Sequence, residues 1–127
     1  MLRSIALALA TAFLLLPAAS AQDAITGKYS GRMNYVPGST GQERSDVVEL
    51  RIDTLEGKAI KGVATLHLPM CSADVPVKGR VDGDTLIVVR AEPDPTHRCP
   101  VNWELKVSGN KLEGKGRGGN ATLKLSK

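Results

Sequence analysis

Aromatic side chains are almost missing from this chain: two Tyr, one Trp and one Phe in 127 residues. Single-strand nucleic-acid platforms stack bases on several aromatic rings, so that class is excluded. Histidine is as scarce, at His67 and His97 only. Neither stands beside a nucleophile, and Ser39, Ser45 and Ser72 lack a G-x-S-x-G context. The carboxylates are scattered at outward positions, so no acid–base pair can be named. The chain therefore reads as a protein that is not an enzyme and carries no cofactor. Charge is also modest: a formal +4 is too small to argue for nucleic acid. Long apolar runs are absent apart from Ile5 to Leu16, which is shorter than the roughly 20 residues a bilayer span needs.

That one run has a different use. Met1 and Arg3 precede it, and Pro17 and Ala19-Ser20-Ala21 follow it. A positive start, a short apolar centre and an A-x-A end are the pattern of a cleaved secretory signal peptide, residues 1–21. Residues 22–127 are then one periplasmic or secreted domain, starting at Gln22. Phe13 and Arg3 leave with the leader, so Tyr29, Tyr35 and Trp103 are the aromatics of the domain. A domain this small has a marginal core and gains from a staple. Its two cysteines, Cys71 and Cys99, are read as a disulfide in an oxidising compartment. Closing that loop stabilises the fold by about 3–4 kcal/mol in the chain-entropy model.

Helical periodicity is missing after residue 21, and period-two alternation takes its place. Ile25, Gly27, Tyr29, Gly31 and Met33 point one way, with Thr26, Lys28, Ser30 and Arg32 opposite. Val48, Leu50 and Ile52 repeat the pattern, as do Ile60 to Leu68 and Val75 to Val81. Residues 84–91 are so rich in Leu, Ile and Val that they read as buried on both sides. Val101, Trp103, Leu105 and Val107 follow, then Leu112, Gly114 and Gly116, then Ala121, Leu123 and Leu125. Asp82-Gly83, Gly109-Asn110 and Gly118-Gly119 are hairpin signals, and residues 54–58 make a longer turn. The expected fold is all-β: an eight-stranded antiparallel up-and-down meander that closes into a barrel and so removes its edges. Inward glycines at 27, 31, 62, 79, 114 and 116 suit sharp bends, or room inside.

The opening Gly27-Lys28-Tyr29-Ser30-Gly31 resembles the G-x-W start of the calycin barrels, the lipocalin and avidin group, with Tyr in the Trp position. The meander with short hairpins is similar to that group as well. The resemblance implies a fold, a small secreted β-barrel. It leaves the ligand open, because the avidin family surrounds its ligand with several Trp and this chain has one.

In a meander the connections alternate between two ends. Those after strands two, four and six read as short, and those at 34–46, 69–74 and 92–100 as long. Binding residues concentrate on long loops carried by a rigid scaffold. Cys71, Cys99, His67, Met70 and His97 all fall at that end, with Tyr35, Arg44 and Arg98 as further contact residues. Inward Tyr29 and Trp103 are candidate walls of a ligand cavity. The first reading is thus a binding module for a small apolar or amphipathic molecule entering at the long-loop end. The alternative is a protein-interaction module, such as a periplasmic hydrolase inhibitor, docking through 69–74 and 92–100. Pro93, Pro95 and Pro100 would stiffen the second loop for that purpose. A third reading is weak copper or zinc binding. His67, Met70 and His97 supply imidazoles and a thioether, with the cysteines oxidised and no other metal site expected. Finally, Lys106, Lys111, Lys115, Arg117, Lys124 and Lys127 make the last stretch basic, a face for contact with an anionic surface.

Overall fold

The computed structural model describes residues 25–37, 41–117 and 119–127. The leader read at 1–21 and the start at Gln22 lie outside these residues. Eight strands run in chain order: β1 (Gly27–Tyr35), β2 (Arg44–Glu56), β3 (Ala59–Leu68), β4 (Cys71–Asp82), β5 (Thr85–Arg90), β6 (Asn102–Ser108), β7 (Lys111–Gly116) and β8 (Thr122–Ser126). Each pairs antiparallel with the next, and β1 also pairs with β8, so the sheet is a closed barrel. At the coarse level this closed eight-stranded meander is consistent with the calycin-like architecture that the opening residues resemble. Closure leaves no free edge strand along the barrel, and the mouth ends of β2 and β4 run past their neighbours β3 and β5.

Alternation builds the interior. Val48, Leu50, Ile52, Ile60, Ala64, Leu66, Leu86, Val88, Leu105, Leu112, Leu123 and Leu125 are buried from successive strands. Each large one contributes about 1.5–3 kcal/mol relative to exposure. No polar or charged side chain is buried among the described residues. Tyr29 is fully buried, and its hydroxyl donates to the Ile25 carbonyl oxygen at 2.9 Å. That bond satisfies the one polar atom its ring carries inward.

Gly31, Gly62 and Gly114 do not leave room inside. A Cβ on Gly31, Gly62 or Gly114 would collide with the backbone carbonyl of Lys124, Arg51 or Glu104 respectively. The barrel coils so tightly there that the neighbouring strand occupies the place of a side chain. Residues 84–91 are likewise not buried on both sides. Leu86 and Val88 face the core, while Ile87 and Val89 lie half-exposed outside, opposite Arg80 and Lys78.

Two strands run further than the alternation suggests. β2 continues to Glu56 through a β-bulge between Ile52 and Thr54. The extra residue shifts the face of the following ones, so Leu55 turns inward opposite Ile60. The turn read at 54–58 shrinks to Gly57-Lys58. The hairpin read at Asp82-Gly83 turns at Gly83-Asp84, since Asp82 still pairs with Thr85. Gly57, Gly83 and Gly109 all take φ near +60°, which the primed hairpin turns require at their first position.

The disulfide between Cys71 and Cys99 is formed, with 5.2 Å between the Cα atoms. It ties the start of β4 to the segment between β5 and β6.

Candidate functional site at the barrel mouth

The connections 57–58, 83–84 and 109–110 close one end of the barrel tightly. The other end carries 36–43, 69–70, 91–101 and 117–121. One loop expected there is absent. Residues 71–74 belong to β4, His67 pairs with Ser72 and Leu68 with Cys71, so the connection is the two-residue turn Pro69-Met70. Tyr35 and Arg44 are likewise strand residues, facing each other at the last rung of the β1–β2 ladder.

A recess of about 320 Å³ opens in this mouth. Met33 and Tyr35 reach it from β1, Leu68 from β3, Met70 from the following turn, and Trp103 from β6. Pro100, Ala121 and Gly116 complete the apolar wall, and Arg117 and Asn102 stand among them. The local reason is the strand phase. Met33, Leu68 and Trp103 continue the inward series as its last buried members at this end, and the recess lies against them. Met70 is 57% exposed. Trp103 is 2% exposed. Its indole N–H meets no acceptor among the described residues, and no buried side-chain nitrogen is left unpaired. The N–H therefore keeps some accessible surface, and Trp103 lines the recess.

One cluster of charge at the rim is internally paired. The Tyr35 hydroxyl donates to Asp46 Oδ2 at 2.7 Å, and Arg44 Nη2 sits 3.4 Å from Asp46 Oδ1. The hydrogen bond from Tyr35, followed by the Arg44 guanidinium, holds the Asp46 carboxyl below the usual carboxylate range. Burial and then the bond to Asp46 push the Tyr35 phenol up. Arg117 stands outside this cluster. Its backbone N–H donates to Asn102 at 2.7 Å, while its guanidinium meets no partner among the described residues.

Beside the recess, the segment 91–101 is braced. Asp94 accepts from the Thr96 hydroxyl at 2.6 Å, the Thr96 N–H at 3.0 Å and the Cys99 N–H at 3.0 Å. The bond from the Thr96 hydroxyl, followed by that from Cys99, drives its carboxyl far below the usual range. Arg90 Nη1 donates to the Cys99 carbonyl oxygen at 2.9 Å. His97 takes a left-handed φ of 56°, a conformation rare outside glycine. His97 and Arg98 are both exposed on this segment.

No protein-family model, curated protein or solved structure matches the chain. The residues themselves must carry the functional argument, because a barrel alone does not name a function.

Of the sequence candidates, Tyr35 and Trp103 line the recess, and Met70 joins them in an apolar role. Arg44 stands at the rim. His97 lines a separate outer groove with Lys78, Val89 and Pro93. Tyr29 is not brought to the site. It lies six residues down β1 from Tyr35, about 20 Å along the strand, and Lys127 Nζ sits 5.3 Å from its ring centroid. Among the described residues no three His, Cys, Asp or Glu stand close enough to hold a metal, and both thiols are in the disulfide. The basic stretch alternates with acids across the outer wall: Glu113 faces Lys106 and Lys124, and Glu104 faces Lys115. Met33, Leu68, Pro100 and Ala121 were missed as site residues. Their signal was position, since each stands at the long-loop end of an inward series or next to it.

Proposed function

We propose that this protein is a non-enzymatic binding protein of the periplasm or the extracellular space, holding a small apolar or amphipathic molecule in its barrel mouth. The apolar recess walled by Met33, Tyr35, Leu68, Met70 and Trp103 is the observation that supports this reading. Small-molecule sites are concave, mostly apolar and furnished with a few polar groups, and about 320 Å³ is at the small end of their range. The Cys71–Cys99 disulfide fits an oxidising compartment. Among the described residues no helix is long and apolar enough to cross a membrane.

Trp103 is the sole tryptophan, so its emission reports on the recess directly. Titrating the purified chain with decanol is expected to shift that emission in a saturable way. Met70→Asp places a charge in the wall at an exposed position and leaves the core intact. It is expected to weaken decanol binding about tenfold, from the loss of roughly 1–1.5 kcal/mol of apolar contact. A parent protein that shows no response, or a variant that binds as the parent does, counts against the reading.

The braced segment 91–101 favours a second reading, docking of a protein partner. A segment already held by Asp94, Arg90 and a disulfide loses little entropy on binding. Its surface is 91–101 alone, since 69–74 is not a loop. In that case Arg98→Ala and His97→Ala would release the partner in a pull-down while leaving the Trp103 titration unchanged.

A further inference from the structure

The recess has a polarity that narrows its ligand, on the reading that it binds one at all. Its described lining includes one residue with a permanently charged side chain, Arg117, and no carboxylate, while Arg117 also borders an outer hollow with Glu104 and Lys115. The nearest acid toward Tyr35, Asp46, is already engaged by the Tyr35 hydroxyl and by Arg44. Arg117 has no such engagement among the described residues. The second free polar group in the wall, the Trp103 indole N–H, is also a donor only. A guanidinium and an N–H beside an apolar wall match a head group that only accepts hydrogen bonds and carries negative charge. The opposite wall, Leu68, Met70 and Pro100, offers nothing but apolar contact.

We infer that the recess selects single-chain amphiphiles with an anionic head, seating the head at Arg117 and Trp103 and the tail against Met33, Leu68 and Met70. A cationic head would leave Arg117 facing a like charge. A neutral head would leave the guanidinium solvated but would keep the tail contact.

Three probes with the same ten-carbon tail separate these cases: decanoate at pH 8, decanol and decyltrimethylammonium, each below its micelle concentration and titrated against Trp103 emission. The parent is expected to bind decanoate about two- to fivefold more tightly than decanol, the range for an exposed charge contact, and the ammonium more weakly than either. Arg117→Gln is expected to abolish the preference for decanoate over decanol, and Arg117→Lys to restore part of it. Arg117 is exposed, so neither change should disturb the core. Equal affinities for the three probes in the parent would overturn the head-group assignment and leave the recess reading standing. A preference that survives in Arg117→Gln would overturn the role of Arg117. Binding of none of the probes would overturn both.

Discussion

Gly114 and Gly116 lie on the same strand and the same face, two residues apart, yet they should respond oppositely to a single methyl group. A Cβ at Gly114 would stand 2.9 Å from Leu105 Cα and closer still to the Glu104 carbonyl oxygen. Those atoms are backbone and belong to the paired strand, so no side chain can rotate away. Relief requires β6 and β7 to part by about 1 Å around the Leu105–Gly114 pair. Parting them weakens roughly two ladder hydrogen bonds, worth about 1 kcal/mol each and more where the freed groups stay buried. Alanine returns about 0.4–1 kcal/mol by restricting the unfolded chain. The net expectation is a loss of about 2–4 kcal/mol, in line with other overpacked cores. At Gly116 a Cβ would meet only Ala121 Cβ, at 3.4 Å. There the unfolded-state term should prevail, and Gly116→Ala should be neutral or slightly stabilising. Urea unfolding with the disulfide intact measures both. With a slope of about 1–1.5 kcal/mol per molar, Gly114→Ala should lower the midpoint by roughly 2 M at unchanged slope. A Gly114→Ala protein within about 0.5 kcal/mol of the parent would refute the close-approach argument, as would an equal loss in Gly116→Ala.

Two further outcomes follow from single contacts. Tyr29→Phe removes the 2.9 Å bond to the Ile25 carbonyl and should cost about 1–2 kcal/mol in the same urea assay. The Trp103 titration should not change, and a change would place Tyr29 in the ligand path. Asp94 has a folded-state pKa well below its unfolded value near 3.9, so its contribution is fully present above that pH. It is lost as pH falls below about 4 toward the folded value. Stability measured by urea should therefore be flat in this group from pH 7 to 5 and decline below 4, with Asp94→Asn flattening the decline. Faster amide exchange at Cys99 in that variant, followed by NMR, would locate the effect. An unchanged acid profile would show that Asp94 does not brace the segment.

The strand series could be read from the chain because half-buried strands leave a period-two record in every inward position. Leu50 and Ile52, Leu66 and Leu68, and Leu123 and Leu125 all face the way their alternation indicates. Turn glycines left a local record too, because left-handed φ is cheap only without a Cβ. The disulfide followed from an even cysteine count and a topology that brings positions 71 and 99 to one end. Where both faces of a strand meet water, the record fades. Ser45-Asp46 and Ser72-Ala73-Asp74 carry no alternation, so the mouth ends of β2 and β4 read as loop. The bulge at Ile52–Thr54 broke the phase and hid the inward turn of Leu55.

Composition and alternation alone determined a closed all-β meander with a stapled, chemically distinct end. Tertiary structure alone decided what the glycines are for and where the recess lies. A glycine that leaves space and a glycine pressed against a carbonyl are the same letter, and only the coil of the neighbouring strand distinguishes them. The recess likewise has no contiguous signature. Met33, Leu68, Met70, Trp103, Arg117 and Ala121 come from separate places along the chain. They share a wall because antiparallel register brings the ends of β1, β3, β6 and β7 to one rim, just beyond the last layer of the core.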